Sequence, residues 1–270
     1  MNWKRLALSF IVVMIFLVIY NYIQISQFYV YKLRLTSNKL TNTLKITQIT
    51  DFHSNENINL EKLFKRISDF KPDIIVITGD LIDYKTRDLT LAFKVFKLTK
   101  SITTEVYFVS GNHETNHVYS KQFYNGLFEY GIKLLDNSTK VVNINGDKIN
   151  IFGSSFYAEK EDFESIFKNI KKENYNILLS HSPNRPIRYL NKFTDIILSG
   201  HTHGGQIRLP FIGGIIAPGQ GLLPKYDKGI VMLGDTTLYI DSGLGNSVAP
   251  IRLFNRVQIT NIEVESSQDN

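Results

Sequence analysis

The chain has no cysteine. Disulfides, iron–sulfur clusters and zinc ribbons are thereby excluded. The redox compartment stays open, because zero cysteine suits a domain outside the cytoplasm without requiring one. Seven prolines and seventeen glycines leave no room for a collagen-like or long disordered region. No block of five like charges occurs, which speaks against a nucleic-acid-binding arm. Internal repeats and low-complexity segments are also missing. What remains is an ordinary globular composition, 43% apolar and 21% charged over 270 residues. That length is enough for one large domain with a well-buried core. The net charge of +6 favours an anionic substrate or an anionic membrane surface.

The sharpest break in composition is N-terminal. Lys4 and Arg5 precede an apolar run from Leu6 to Tyr20 that only Ser9 interrupts, and residues 6–25 are about the length of a bilayer-spanning helix. Tyr20 and Tyr22 fall where an aromatic belt would lie. No small-residue cleavage site follows, so a membrane anchor over 1–27 is favoured above a cleaved signal peptide or a buried core helix. Residues 28–270 then form the remaining domain. Lys4 and Arg5 argue for a cytoplasmic N-terminus, while Lys32, Arg34 and Lys39 argue back. Long domains translocate largely regardless of such charges. The expectation is a single-pass protein of the cell membrane with its large domain outside the cytoplasm.

Beyond the anchor, hydrophobic periodicity alternates between two and 3.6. Strands are expected at 29–35, 44–50, 73–78, 105–110, 175–180, 194–199, 229–233, 236–241 and 256–264. Asn145-Gly146 joins a hairpin of 141–144 and 148–152. Helices are expected at 60–70, 89–98, 118–131, 161–172 and 183–193. The first is the clearest, with Leu60, Leu63, Phe64 and Ile67 on one face and Pro72 beyond its end. The tail from Glu265 reads as polar and frayed. Strand–helix alternation followed by a strand-rich final third points to an α/β domain with mixed sheets.

Five of the apolar strands end in metal-capable side chains. These are Asp51-Phe52-His53, Gly79-Asp80, Gly111-Asn112-His113-Glu114, His181, and Gly200-His201-Thr202-His203. Ligands of α/β sheets bind outside the carboxyl ends of strands, so all five could meet at one edge. Singly, each has a plain reading. Asp-x-His is common, Gly-Asp marks turns, Asn112 could cap a helix, and His181 could be a satisfied buried histidine. Together, in this order, they are hard to dismiss. Asp, Asn and His suit borderline divalent ions such as Mn, Fe, Zn or Co. The set is too large for one four-coordinate ion, and two ions sharing a carboxylate would use it. Asp51 and Asp80 would offset only part of two divalent charges, leaving a surplus suited to a phosphate. Metals about 3.5–4 Å apart can deprotonate a bridging water and clamp phosphoryl oxygens.

This run of residues, with Asp83 following Asp80, resembles the calcineurin-like metallophosphoesterase superfamily. The strings GHTHGGQIRLP (200–210) and LYIDSGLGNSVAPIRLF (238–254) are similar to its bacterial membrane-associated branch. The resemblance covers about Leu44 to Val264. It implies a four-layer αββα sandwich of two mixed sheets, here preceded by one transmembrane helix. It implies two divalent ions, one held by Asp51, His53, Asp80 and His203, the other by Asp80, Asn112, His181 and His201, with Asp80 bridging. It implies hydrolysis of a phosphate ester by a metal-bridging hydroxide, with His113 as general acid and Asp83 behind it. A phosphodiester or pyrophosphate is favoured, and the anchor suggests a lipid-linked or envelope substrate.

Other readings attach to single features. His117 reads as a surface or rim residue. Arg208 and Arg252 are candidate phosphate contacts with structural alternatives. Leu209–Leu223 carries no charge and is either a lip that meets lipid or a loop packed on the sheet. The metallo-β-lactamase type of dinuclear hydrolase is disfavoured, because Gly204-Gly205 follows His203 where H-x-H-x-D-H would need Asp and His. A non-catalytic metal-binding scaffold on the same fold is the functional alternative.

Overall fold

The computed structural model describes residues 3–168, 170–246 and 249–267. Helix α1 (Trp3–Ser26) leads directly into β1 (Tyr29–Ser37) and β2 (Leu44–Ile49). Then come α2 (Leu60–Phe70), β3 (Ile74–Ile77), α3 (Thr90–Lys100), β4 (Val106–Phe108), α4 (Asn112–Asn116), α5 (Ser120–Glu129) and β5 (Lys133–Leu134). The hairpin β6 (Ser138–Ile144) and β7 (Asp147–Ser154) precedes α6 (Lys160–Phe167), β8 (Tyr175–Ser180), α7 (Asn184–Arg188) and β9 (Ile196–Ser199). Four two-residue strands follow, β10 (Arg208–Leu209), β11 (Gly213–Gly214), β12 (Ile216–Ala217) and β13 (Gly221–Leu222). β14 (Gly229–Leu233), β15 (Thr236–Ile240) and β16 (Gln258–Ser266) complete the fold.

Two six-stranded mixed sheets run β1-β16-β2-β3-β4-β5 and β14-β15-β9-β8-β7-β6. Alternation along each strand decides which layer a side chain joins. In β3, Ile74 and Val76 face the other sheet, while Ile75 and Ile77 face α2, α3 and α5. In β8, Ile177 and Leu179 enter the inter-sheet core, while Leu178 faces α6. Three cores result, one between the sheets and one outside each, which is the four-layer αββα arrangement. Helix α2 spans the expected residues. The Asn59 side chain accepts from Lys62 N at its start, and Lys71 adopts a left-handed conformation at its end.

Four expectations need correction. The helix expected over 183–193 is α7 and stops at Arg188. Residues 112–116 form a separate short helix, α4, ahead of α5. The helix expected over 161–172 is α6 and stops at Phe167, Asn169 lying outside the described residues. Glu265 and Ser266 are not frayed, because they pair with Thr36 and Ser37 as the end of β16; residues 268–270 of that tail lie outside the described set.

Helix α1 is long and apolar enough to cross a membrane. Residues 3–19 stand clear of the domain, and its last turns dock on it. Asn21 Nδ2 donates to Pro250 O and Asn21 Oδ1 accepts from Arg252 N, both at 2.9 Å.

Phe123 of α5 packs on Phe96 of α3 and Phe108 of β4, and none of the three meets solvent. Phe123→Ala is expected to destabilise the domain by about 3–5 kcal/mol. Chemical denaturation in detergent checks it. A loss below about 0.5 kcal/mol, the range of an ordinary surface change, would show that this face is not a packed core.

Candidate metal centre

Every candidate side chain comes off the carboxyl end of a strand. Asp51 and His53 follow β2, Asp80 follows β3, and Asn112 opens α4 after β4. His181 follows β8, and His201 and His203 follow β9. β2, β3 and β4 are parallel neighbours in one sheet, and β8 and β9 in the other. Cross-sheet bonds hold these ends together. Gln48 Nε2 donates to Ser199 O at 3.0 Å, and His201 N donates to Asp51 Oδ2 at 2.9 Å.

The backbone here is strained. Asp51, His53, Asp80, His201 and His203 all have positive φ, between 48° and 69°. Non-glycine residues rarely adopt this region, and such strain gathers at functional sites. The preceding glycines have a different reason. A Cβ on Gly111 would stand 2.0 Å from Asp80 Oδ1, and one on Gly200 would stand 2.2 Å from Asp51 Oδ2. The ligand-bearing turns fit only without those side chains.

The polar atoms face one another in three overlapping groups. Asp51, His53 and His203 form one, Asp80, His181 and His201 another, and His53, Asp80 and His113 a third. His53 Nε2 lies 3.8 Å from both Asp51 Oδ1 and Asp80 Oδ2. His203 Nε2 is 3.6 Å from Asp51 Oδ1, and His181 Nε2 is 3.1 Å from Asp80 Oδ2. Among the described residues, several buried atoms here lack a hydrogen-bond partner: both ring nitrogens of His53, Nδ1 of His203 and Oδ1 of Asn112. Buried polar groups are nearly always partnered. Unpartnered His and Asn atoms clustered beside two buried carboxylates fit divalent cations of the borderline class.

Electrostatics say the same. Burial alone would raise the Asp80 pKa, but the His181 and His53 charges hold it below the usual carboxylate range. Asp51 is held low in the same way, chiefly by His203 and His53 against the cost of burial. His181 is also opposed by burial, yet the Asp80 charge and hydrogen bond push it up to about 10. Burial takes His201 down to about 4 and His203 down to about 3. Two neutral imidazoles beside two carboxylates, His203 with an unpartnered Nδ1 and His201 with its Nδ1 3.1 Å from His181 Nε2, make a donor set for cations.

His113 differs from the other histidines. Its side chain is 27% exposed, whereas those of His53, His181 and His203 are 4% or less. Its Nε2 is 3.9 Å from Asp80 Oδ2. Burial lowers its pKa, with Asp80 and Asp83 pulling the other way. Asp83 Oδ1 accepts from Lys85 N and Thr86 Oγ1, closing its own turn, so it acts on His113 through charge. His117 stands apart, its Nδ1 accepting from Tyr119 N at 3.1 Å. The two arginines named as phosphate contacts are engaged within the protein. Arg208 pairs with Asp227 at 2.8 Å and donates to Gly204 O. Arg252 is buried, and its guanidinium donates to the carbonyls of Ser242, Gly245 and Asn255, bracing the loops behind His203.

Glu114 is the residue whose role sequence reading missed. It stood in the Gly-Asn-His-Glu run, yet nothing local marks it as buried. In the fold it has no exposure. Oε2 accepts from Asp80 N and Gly111 N at 3.0 and 2.9 Å, and Oε1 accepts from Leu81 N at 2.6 Å. This one carboxylate fixes the turns that carry Asp80 and Asn112. Burial, then the Asp80 charge, pushes its pKa up to about 7. Phe156 is a second such residue, its ring 5.8 and 5.3 Å from His181 and His201. Glu114→Gln turns an NH2 toward backbone N–H donors. It is expected to cost about 1–3 kcal/mol and to lower retained metal. Unfolding midpoints and metal content after gel filtration measure both, and wild-type values in each would remove Glu114 from this role.

A family model described as calcineurin-like phosphoesterase matches residues 44–205. The metallophosphoesterase YkuE of Bacillus subtilis (strain 168) is 31% identical over 83% of this chain and 79% of its own length. Phosphodiesterase YaeI of Escherichia coli (strain K12) is 26% identical over 82% of each chain. The structure of a 5'-nucleotidase precursor from Thermus thermophilus matches with a TM-score of 0.51, covering 83% of this chain and 54% of that one at 14% identity, a likeness of fold. With the strand-end carboxylates and imidazoles gathered as described, the chain belongs to the calcineurin-like phosphoesterase family and is a metal-dependent phosphoesterase.

Proposed function

We propose that the protein hydrolyses a phosphodiester or phosphoanhydride at a centre for two divalent cations, from a domain anchored by α1 to the outer side of a cell membrane. The carrying observation is the buried cluster of Asp51, His53, Asp80, His181, His201 and His203, in which ring nitrogens lack partners. Asp51, His53, Asp80 and His203 would hold one ion. Asp80, Asn112, His181 and His201 would hold the other. When bound, the pair would supply the positive charge that draws phosphoryl oxygens and acidifies water.

The protein's own groups divide the remaining work. Asp80 is within reach of both clusters, so it sets the spacing of the two positions. His113 borders the same space but is open to solvent, so its imidazole can exchange a proton with bulk water. That suits it to protonate the leaving oxygen, a role for a group with a pKa near neutrality. Glu114 and Phe156 keep the ligand-bearing turns in place. The preference for a diester is supported by the name of the relative YaeI. The preference for a lipid-linked or envelope phosphate rests on α1, which would keep the centre close to a bilayer.

A second reading has one observation in its favour. His113 groups with His53 and Asp80 closely enough to serve as a ligand. Metal content separates the two. His113→Ala is expected to keep both ions while turnover of bis-p-nitrophenyl phosphate falls by roughly 10²–10⁴-fold. Asp80→Ala is expected to lose metal and activity together. Chelation should abolish wild-type turnover, and Mn or Zn should restore it. Loss of one ion in His113→Ala would make His113 a ligand, and a wild type that neither binds metal nor turns over would end the enzymatic reading.

A further inference from the structure

The charge-free segment 209–223 is not packed away on the sheet. It forms two small hairpins, β10–β11 and β12–β13. Phe211 at the tip of the first is fully exposed, and Ile212, Leu222 and Leu223 are more than half exposed. Beside them, Ile251 and Phe254 are also exposed. The only charge within 249–254 is that of Arg252, which is buried. Contiguous large apolar groups on a surface mark an interaction site.

Helix α1 identifies the partner. Its free portion, Trp3 through Ile19, is seventeen residues, about 26 Å at 1.5 Å per residue, with Lys4 and Arg5 in its first turn placed to snorkel to the far headgroups; residues 20–25 of the expected span dock on the domain instead. That length is close to the hydrocarbon thickness of about 30 Å. With α1 spanning, Tyr20 and Asn21 lie at the level where hydrocarbon gives way to headgroups. Those are the residues that grip the 250–254 loop. Phe254 N donates to the Tyr20 hydroxyl at 3.2 Å, and the two rings meet edge to face. Asn21 bonds Pro250 O and Arg252 N. The loop in turn carries the hairpins. Ile207 bridges Leu253, and Arg208 N donates to Leu253 O at 2.9 Å. Apolar hairpins are thus tied, through one loop, to the depth at which the anchor leaves the bilayer. An apolar cavity of about 520 Å³, lined by Ile207, Ile216, Ala217, Pro218 and Ile251, lies between hairpins and loop. Lys225, just past the segment, is exposed, its Nζ over the Tyr226 ring at 5.1 Å.

We infer that residues 209–223, with Ile251 and Phe254, form a second membrane contact that inserts into the interfacial layer beside α1. The inference rests on α1 spanning the bilayer. The hairpins grow from the turn that holds His203. Arg208 Nη1 donates to Gly204 O, and Gly205 packs on Gly214. Inserting them therefore sets the metal centre against the headgroup layer, where phosphate esters on lipids are presented.

The single tryptophan, Trp3, makes the test direct. Full-length protein is reconstituted in vesicles of phosphatidylcholine and phosphatidylglycerol at about 3:1, with and without brominated acyl chains, which quench indole by contact. Trp3 is read in the wild type. Phe211→Trp and, as an exposed control, Phe128→Trp are each read in a Trp3→Phe background. Both must unfold at the wild-type midpoint. The expected result is at least twofold quenching for Trp3 and for Phe211→Trp, and none for Phe128→Trp. Quenching of Trp3 without Phe211→Trp would overturn the second contact while leaving the anchor standing. No quenching of Trp3 would overturn the anchor and this inference with it. Blue-shifted, unquenched Phe211→Trp emission would assign the face to a second copy of the chain and also overturn it.

Discussion

Two carboxylates, Asp51 and Asp80, sit out of solvent at the seam between the sheets, and much of the structure around them compensates their charge. Buried ions are costly unless paired and hydrogen-bonded. Each is met by imidazoles, and each also receives a backbone N–H, from His201 to Asp51 and from His113 to Asp80. The left-handed turns bring those groups inward. The parallel strands aim them at one edge, and the core between the sheets keeps both edges in register. Cations complete this arrangement, since ring nitrogens of His53 and His203 and Oδ1 of Asn112 have no partner within the protein.

The same logic explains a layer of residues that never approach a substrate. Glu114 fixes the turn of Asp80, and Arg252 and Asn255 fix the turn of His203. Asn255 Nδ2 donates to His203 O at 2.6 Å. Such supports are themselves buried polar groups with filled partners. Each is therefore tied to one local geometry, and removing one leaves several groups unpaired at once.

How much of this could be read from the chain alone varied by physical cause. The helix of residues 60–70 was legible because one face is buried, which writes a periodicity; the strand of residues 175–180 was legible as a short apolar run, because both its faces are buried. The ligand runs were legible because a chemical need recurs at strand ends. α4 was not, since five residues with no apolar stripe carry no period. The support given by Glu114 was hidden for another reason. Three of its four donors come from residues 80–82, more than thirty positions away. Arg252 reads as a candidate phosphate contact or a structural arginine, and the sequence does not choose between them, because backbone carbonyl acceptors leave no mark in a sequence. The small hairpins of 208–222 were read as a lip or a packed loop, and their glycine-rich, two-residue strands are below the length at which alternation shows.

The place of β16 has a consequence for how the molecule is made. It lies between β1 and β2, parallel to one and antiparallel to the other. β1 is synthesised just after α1, yet its sheet neighbour among the described residues is the segment 258–266. The loop that grips Tyr20 and Asn21 also comes late in the chain. With α1 in the bilayer, as proposed, the strand beside it would still lack its mate during translation, an open sheet edge held at the membrane. Closure of the first sheet and docking of the domain onto α1 then become one late event, so domain and helix acquire their mutual orientation together.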